Sequence, residues 1–224
     1  MNIQNQPFSA LSAAFPASDG ACSAPAATRS LALKRALDVI LSLTALVIFL
    51  PLLALIAAAV WLDSGGPAFF RQRRVGQHGK IFNIYKFRTM HVMEDGARIV
   101  QACRGDTRIT RVGRFLRVTS LDELPQLLNV LFGEMSLVGP RPHAVAHDEY
   151  YAERIANYRV RHLVKPGITG WAQVNGARGG TPRLRDMQNR IDFDVQYVQR
   201  ESLWLDLRIL ARTPWEVARR RNTV

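Results

Sequence analysis

Residues 39–62 read VILSLTALVIFLPLLALIAAAVWL and contain no charged side chain. This run of 24 residues exceeds the roughly 20 that a helix needs to cross the hydrocarbon core of a bilayer. A core helix of a soluble protein is shorter and apolar on one side only. The stretch therefore predicts a segment embedded in a membrane, and the rest of the fold has to be organised around it.

Basic residues flank this apolar stretch on both sides. Lys34 and Arg35 precede it, and Arg71, Arg73 and Arg74 follow it. Basic residues favour the cytoplasmic side of a membrane, so these charges do not place the two ends on opposite faces.

Three membrane arrangements fit the stretch. A cleaved signal peptide is disfavoured by the long leading tail and the overlong apolar run. A straight spanning helix is the simplest arrangement. A re-entrant hairpin is suggested by Pro51, because proline lacks a backbone N–H and can break or bend a helix. Proline kinks also occur in straight membrane helices, so the residues alone leave both arrangements open.

The chain is strongly basic. Lys and Arg number 30 against 18 Asp and Glu, which gives a net charge of +12 and a pI of about 10.8. Such an excess predicts an anionic partner, which could be a nucleic acid, a membrane surface or a phosphorylated substrate. Cys22 and Cys103 are far apart and form neither a disulfide framework nor a zinc spacing, which favours a reducing, cytosol-facing compartment.

The sequence divides into three parts. Residues 1–30 are rich in Ala, Ser and Pro and predict a disordered tail. Residues 31–65 form the membrane segment, and residues 66–224 predict one compact domain. Within that domain KIFNIYKFRTM alternates like a strand, leucines from Leu121 to Leu131 recur at helical spacing, and residues 143–163 and 185–221 read as helices. The fold class is α/β, mostly α and irregular.

An acidic pair stands in the stretch TSLDELPQLLNV, residues 119–130. Ser120 and Glu123 have the S-x-x-E spacing of a capping box, in which acids complement the helix dipole. Alternatively, Asp122 or Glu123 is a nucleophile or metal ligand, and the nearby arginines, Arg117 among them, neutralise an incoming phosphate. Pro125 leaves the start of the following helix uncertain. The stretch alone favours the cap.

Other basic residues occur in spacings that suit phosphate binding. Lys86 and Arg88 are two apart, which places both cations on one face of an extended chain. Arg141 lies between two prolines that stiffen the backbone of the GPRP loop, so a rigid guanidinium could bind a phosphate. Lys165 begins a glycine-rich segment, which indicates close approach of the backbone to another group. Taken singly, Lys86, Arg88 and Arg141 are more typical of solvated surface charges than of a phosphate site.

Two further patterns have structural alternatives. His143 and His147 are spaced i, i+4 like a metal pair, but they lack the Glu of H-E-x-x-H and a third ligand, so a hydrogen-bonded role is favoured. Trp204 and Trp215 stand among leucines and arginines, which is typical both of an interfacial helix on an anionic membrane and of an ordinary domain helix.

Together, five segments resemble the bacterial sugar transferases, the monotopic phosphoglycosyl transferases that start glycan assembly on a polyprenyl phosphate. The segments are KRALDV, KFRTM, TSLDELPQLLNVLFGEMSLVGPRP, KPGITGWAQVNG and SLWLDLRIL, in this order. The resemblance covers roughly residues 32–213. Residues 139–178 are most similar to the branch that transfers glucose 1-phosphate to undecaprenyl phosphate, in its short form with only a catalytic domain.

At the acidic pair, this resemblance favours a catalytic role over a helix cap. It implies that Asp122 is the nucleophile that attacks the β-phosphate of a UDP-sugar, and that Glu123 is its partner in holding Mg²⁺. It implies phosphate-handling roles for Lys86, Arg88, Arg117 and Arg141. A further substrate-binding prediction falls on Lys165.

The resemblance also implies a membrane arrangement and a set of partners. The segment is expected to be a re-entrant hairpin with its hinge at Pro51, in the bacterial inner membrane, with the catalytic domain in the cytoplasm. The expected partners are a UDP-sugar, undecaprenyl phosphate and membrane lipid, with no nucleic acid; a homo-oligomer is left open. Two alternatives remain: a UDP-galactose or UDP-N-acetyl sugar donor, and a membrane-tethered basic binding module without catalysis.

Overall fold

The structure, a computed structural model, describes residues 24–91, 101–103 and 105–219 of the 224-residue chain. Within these residues the protein is mostly helical and has four short strands in two sheets, as the mixed, mostly helical class predicted. The tail predicted for residues 1–30 lies outside the described residues as far as residue 23, and a helix begins at Ala24.

The elements are numbered in chain order within the described residues. The helices are α1 Ala24–Ser64, α2 Arg111–Thr119, α3 Gln126–Phe132, α4 Val145–Ala152, α5 Trp171–Val174, α6 Leu184–Gln199 and α7 Leu203–Ala218. The strands are β1 Phe69–Val75, β2 Ile81–Phe87, β3 Ser136–Val138 and β4 Gly167–Thr169. Short 3-10 segments occur at Gln77–Gly79, Leu121–Glu123 and Tyr158–Leu163.

Helix α1 contains the long apolar segment, and Ser30–Ser64 is long and apolar enough to cross a membrane. Pro51 lies inside the helix. The side chains of residues 47–51 are all exposed, which is more than one full turn. A membrane-embedded segment is compatible with this helix, and the bend at Pro51 stays a prediction.

Both ends of α1 are bonded to the rest of the protein. Near the start, Lys34 Nζ lies 2.5 Å from a carboxylate oxygen of Asp206. At the end, Arg88 donates a hydrogen bond to Ser64 Oγ at 2.6 Å. Between these ends, Ile56 and Val60 pack in a buried cluster with Phe87 and Leu116. The helix is therefore part of the hydrophobic core as well as an apolar segment.

Strands β1 and β2 form an antiparallel hairpin, paired from Phe69 opposite Phe87 to Val75 opposite Ile81. The side chain of Asn129 on α3 continues the hydrogen bonding of β2. Its Nδ2 donates to the Asn83 carbonyl at 2.7 Å, and its Oδ1 accepts from the Tyr85 N–H at 3.0 Å. Helix α3 is thus joined to the strand that carries Lys86.

Strands β3 and β4 are parallel, with Ser136 opposite Gly167 and Val138 opposite Thr169. A Cβ atom at Gly167 would clash with the backbone of Gly139, so glycine is required for this close approach. Next to these strands lies a core cluster of Val138, Val160, Val164, Val174, Tyr197, Val198 and Ile209. This core supports the GPRP loop that follows β3.

The strand predicted in KIFNIYKFRTM is confirmed as β2. The helix predicted from Leu121 is divided into a 3-10 segment and α3, because Pro125 interrupts the first turn. Residues 143–163 contain α4 and a 3-10 segment, and residues 185–221 contain two helices, α6 and α7, as far as the described residues extend.

Candidate active site

Asp122 and Glu123 lie in the 3-10 segment between α2 and α3. Helix α2 ends where Ser120 adopts the left-handed conformation, with a φ of 59°, and this turns the chain. Pro125, which has no backbone N–H, then precedes the first turn of α3. The two carboxylates are therefore presented at a turn between helices.

The capping-box interpretation of Ser120 and Glu123 is wrong. Ser120 makes no side-chain cap hydrogen bond to the turn that follows, and its Oγ instead accepts one from the guanidinium of Arg178. An N-cap residue normally has an extended backbone, which the left-handed Ser120 does not have. The side chain of Glu123 is directed to two cations.

Asp122 is a buried carboxyl, only 8% exposed. Burial raises its pKa to about 6; the positive charge of Lys86 opposes this shift, and the negative charge of Glu123 adds to it. At neutral pH the carboxyl is still mostly ionised, but it is poorly solvated. A poorly solvated carboxylate next to fixed cations suits a nucleophile that attacks a phosphoryl group.

Glu123 is held by Lys86 and Arg141. Lys86 Nζ lies 2.9 Å from Oε1, Arg141 Nη1 donates to Oε2 at 2.9 Å, and Arg141 Nη2 donates to Oε1. Burial opposes ionisation of Glu123, but Arg141 and Lys86 outweigh it and hold the pKa well below its usual range. Glu123 therefore stays anionic and fixes two cations beside Asp122.

The backbone of Arg141 is itself supported from within the core. Its carbonyl accepts a hydrogen bond from Arg161, whose guanidinium lies 3.0 Å from the carboxylate of Asp194. Sequence reasoning missed both residues. The signal was available in α6, where Asp194 falls between the buried Ile191 and Val198 at helical spacing. A charge on such an apolar stripe predicts a buried partner.

Of two further predicted residues, only Arg117 acts on the acidic pair through its charge. Arg117 donates to Thr89 Oγ1 at 3.2 Å, and its charge lowers the pKa of Asp122. Arg88 donates to Ser64 at the end of α1 and is 9% exposed. Their substrate-binding roles stay predictions, and the contacts of Arg88 are those of a residue that joins α1 to the hairpin.

The structure places Lys165 in different surroundings. Its ammonium lies near Gly133 at the end of α3, and the guanidinium of Arg35 is close to the same glycine. Burial and the charge of Arg35 lower the pKa of Lys165. The structure therefore does not bring this residue to the acidic pair, and its role in substrate binding stays a prediction.

His143 has the hydrogen-bonded role that the sequence favoured. Its Nδ1 lies 2.6 Å from the Tyr158 hydroxyl oxygen. Burial and the charge of Arg161 hold the pKa of His143 well below its usual range, so the ring is neutral. Across the described residues, no group of three or more His, Cys, Asp or Glu side chains could hold a metal ion.

The predicted Mg²⁺ can be tested against the two carboxylates. Mg²⁺ in phosphoryl-transfer enzymes is bound by one or two carboxylates together with substrate phosphates and water. The carboxylate of Asp122 is available as a ligand, because it forms no hydrogen bond or ion pair within the described residues. Both oxygens of Glu123 are bonded to cations. The site thus fits an ion held by Asp122 and a bound diphosphate, and Glu123 as a second ligand stays a prediction.

Comparison with known proteins gives the same family as the motifs. The family described as bacterial sugar transferase matches residues 29–220. The chain belongs to the bacterial sugar transferase family. The match includes α1 from residue 29 onward, the acidic pair, the GPRP loop and α7, so the whole candidate site lies within the family domain of this sugar transferase.

Several similar relatives have the same name, UDP-glucose:undecaprenyl-phosphate glucose-1-phosphate transferase. The one from Caulobacter vibrioides is 57% identical over 180 residues, which are 80% of this chain and 67% of the relative. The one from Escherichia coli K12 is 54% identical over 181 residues, 81% of this chain and 39% of the relative. The one from Xanthomonas campestris is 57% identical over 177 residues, which are 79% of this chain and 37% of the relative. The chain therefore spans about two fifths of the latter two relatives.

Proposed function

We propose that this sugar transferase moves glucose 1-phosphate from UDP-glucose to undecaprenyl phosphate and releases UMP. The observation that carries the proposal is the buried Asp122 beside a Glu123 that is saturated by Lys86 and Arg141. A nucleophilic carboxylate surrounded by fixed cations is suited to an anionic phosphoryl substrate. The names of the relatives indicate the donor sugar and the lipid acceptor.

In the first step a carboxylate oxygen of Asp122 attacks the β-phosphorus of UDP-glucose. The bond between that phosphorus and the bridging oxygen breaks, and UMP leaves with the bond electrons. Glucose 1-phosphate then remains on Asp122 as an acyl phosphate. Covalent catalysis of this kind divides one difficult exchange into two easier steps.

In the second step a phosphate oxygen of undecaprenyl phosphate attacks the same phosphorus. The acyl–phosphate bond breaks, Asp122 becomes a carboxylate again, and undecaprenyl-diphospho-glucose is released. Lys86 and Arg141 neutralise the phosphoryl oxygens as negative charge accumulates, and Glu123 keeps the two cations in place. A Mg²⁺ ion held by Asp122 and the diphosphate would supply additional charge neutralisation when bound.

The membrane arrangement we infer is a re-entrant hairpin in the inner membrane, with the catalytic domain in the cytoplasm. Its support is the full turn of exposed side chains around Pro51, between two ends that both contact the same domain. On α7, Trp204 and Trp215 are 76% and 60% exposed, which suits residues that dip into the headgroup layer. The product of this reaction would start an exopolysaccharide repeat unit.

The function is tested with purified protein, Mg²⁺, undecaprenyl phosphate and a panel of UDP-glucose, UDP-galactose and UDP-N-acetyl sugars. UMP release should be fastest with UDP-glucose. Mass spectrometry after incubation with donor alone should find a hexose phosphate on the peptide that contains Asp122. A ternary-complex rate law together with no adduct at that position would refute the covalent mechanism. Another preferred donor would refute only the choice of glucose.

The topology is tested with tags placed before Leu31 and at the carboxyl terminus. Both tags should be accessible from the cytoplasm in intact cells. A tag before Leu31 that is accessible only from the periplasm would exclude the hairpin.

A further inference from the structure

Arg178 lines two cavities, one of which also includes Glu123 of the acidic pair. On one side is an apolar cavity of about 230 Å³, which is lined by leucines of the 3-10 segment and α3 and by Glu123. On the other side is a larger cleft of about 730 Å³ between the loop at residues 175–182 and helix α6. Polar side chains line much of this cleft, Asn175, Asn189 and Gln196 among them. Arg178 lines both.

The guanidinium of Arg178 is only partly used by the protein. Its Nη2 donates to Ser120 Oγ, which fixes the side chain against the turn that carries Asp122 and Glu123. Its Nη1 is buried and has no hydrogen-bond partner in the part of the chain that the structure describes. Burial lowers the pKa of Arg178, and the charges of both carboxylates act on it, with Glu123 the stronger. A buried donor without a partner is costly, and an anionic ligand bound in the adjoining cleft would satisfy it.

We propose that Arg178 binds the diphosphate of the UDP-sugar donor, which lies in the polar cleft and reaches Asp122 past this guanidinium. The inference rests on the proposed function. A planar guanidinium with a free N–H edge is the group best suited to phosphate oxygens. The cleft volume is within the range of small-molecule sites.

The chemistry of the two cavities favours the donor over the acceptor. A sugar nucleotide has polar groups on both sides of its diphosphate, and these could bond the amides that line the cleft. Undecaprenyl phosphate would bring a long apolar chain, which the polar cleft would not stabilise. Arg178 is therefore expected to act in the donor half-reaction, and the apolar chain of the acceptor is expected to lie outside the polar cleft.

The test uses the full chain in detergent and compares the native protein with Arg178→Gln and Arg178→Lys. UDP, the donor without its sugar, is titrated calorimetrically in the presence of Mg²⁺, and the KM values for UDP-glucose and undecaprenyl phosphate are measured by UMP release. Arg178→Gln should weaken UDP binding and raise the KM for UDP-glucose by about 10- to 100-fold. Arg178→Lys should recover part of the loss, and the KM for undecaprenyl phosphate should stay within about twofold of the native value.

Two matched variants separate ligand binding from a structural role. Ser120→Ala removes the internal partner of Arg178 but keeps the guanidinium, so its effect on UDP binding should be several-fold smaller than that of Arg178→Gln. Arg200→Gln removes the same charge from an exposed position after α6 and should leave both KM values unchanged.

Three results would overturn the inference. They are an Arg178→Gln variant with native UDP affinity, equal losses in Ser120→Ala and Arg178→Gln, and equal rises in both KM values. A native protein that neither binds UDP nor releases UMP from any donor would instead refute the proposed function, and the inference would fall with it.

Discussion

The Asp122→Asn variant should be inactive and, at neutral pH, more stable than the native protein. Burial raises the pKa of Asp122 from 3.8 to about 6, so the folded protein binds this proton more tightly than the unfolded chain does. The contribution of Asp122 to stability is therefore greatest at low pH, and it is lost as the pH rises from about 4 to about 6. At 1.36 kcal/mol per pKa unit, the native protein loses about 3 kcal/mol by pH 7.5. The neutral asparagine avoids this loss.

The assay is the free energy of unfolding of both proteins in the same detergent at pH 7.5 and pH 5. We expect the variant to exceed the native protein by about 3 kcal/mol at pH 7.5 and by about half of that at pH 5, where the folded carboxyl is mostly protonated. In a protein of this size 1 kcal/mol corresponds to about 2–4 °C in Tm, so the difference is readily measured.

A control separates this effect from a general effect of charge. Glu149→Gln removes a carboxylate from an exposed position on α4 and should change stability little at either pH. An Asp122→Asn variant that is less stable than the native protein at pH 7.5 would refute the reasoning. So would a stability difference that is the same at both pH values, because the carboxyl would then not be desolvated in the folded state.

Three other outcomes are expected. Arg141→Lys keeps the positive charge but loses the parallel hydrogen bonds to Glu123, so kcat for UMP release should fall by about 10- to 100-fold. Below pH 6 the rate of UMP release with donor alone should rise tenfold per pH unit and should level off above pH 6, because Asp122 must lose its proton to attack. Asp194→Asn should lower the free energy of unfolding by about 3–5 kcal/mol in urea titrations, because Arg161 would be left buried without its charged partner.

Each of these outcomes has a result that contradicts it. A native kcat in Arg141→Lys would show that the two parallel hydrogen bonds from Arg141 to Glu123 are not needed. A rate of UMP release that does not change between pH 5 and pH 7 would mean that ionisation of Asp122 does not limit attack. For the buried pair the comparison is Asp192→Asn, at an exposed position of the same helix; an equal loss in both variants would refute a special role for the pair of Asp194 and Arg161.

The sequence was informative where a single local pattern determines the structure. The 24 uncharged residues predicted the apolar helix because length and composition alone decide that property. The alternation in KIFNIYKFRTM predicted β2 because one face of that strand is buried. The S-x-x-E spacing gave a wrong cap because it does not record the left-handed backbone of Ser120.

The rest of the site depends on contacts between distant parts of the chain. Lys86 and Arg141 converge on Glu123 from a strand and a loop, and no spacing in the sequence predicts that convergence. Arg178 stands in a glycine-rich loop and resembles any surface arginine until its contact with Ser120 is seen. Family resemblance predicted a catalytic role for the acidic pair, while the buried support of Arg141 and the position of Arg178 required the three-dimensional structure.

The attachment of α1 at both ends has a practical consequence for anyone who wishes to prepare the catalytic domain in water. The helix cannot be treated as a removable anchor, because Ile56 and Val60 cover Phe87 and Leu116. A protein shortened to begin at residue 66 would expose that apolar surface and would lose the partner of Arg88. Such a fragment should aggregate. Solubility is better sought by replacing the exposed residues at 47–51 with polar ones while both ends of the helix are kept.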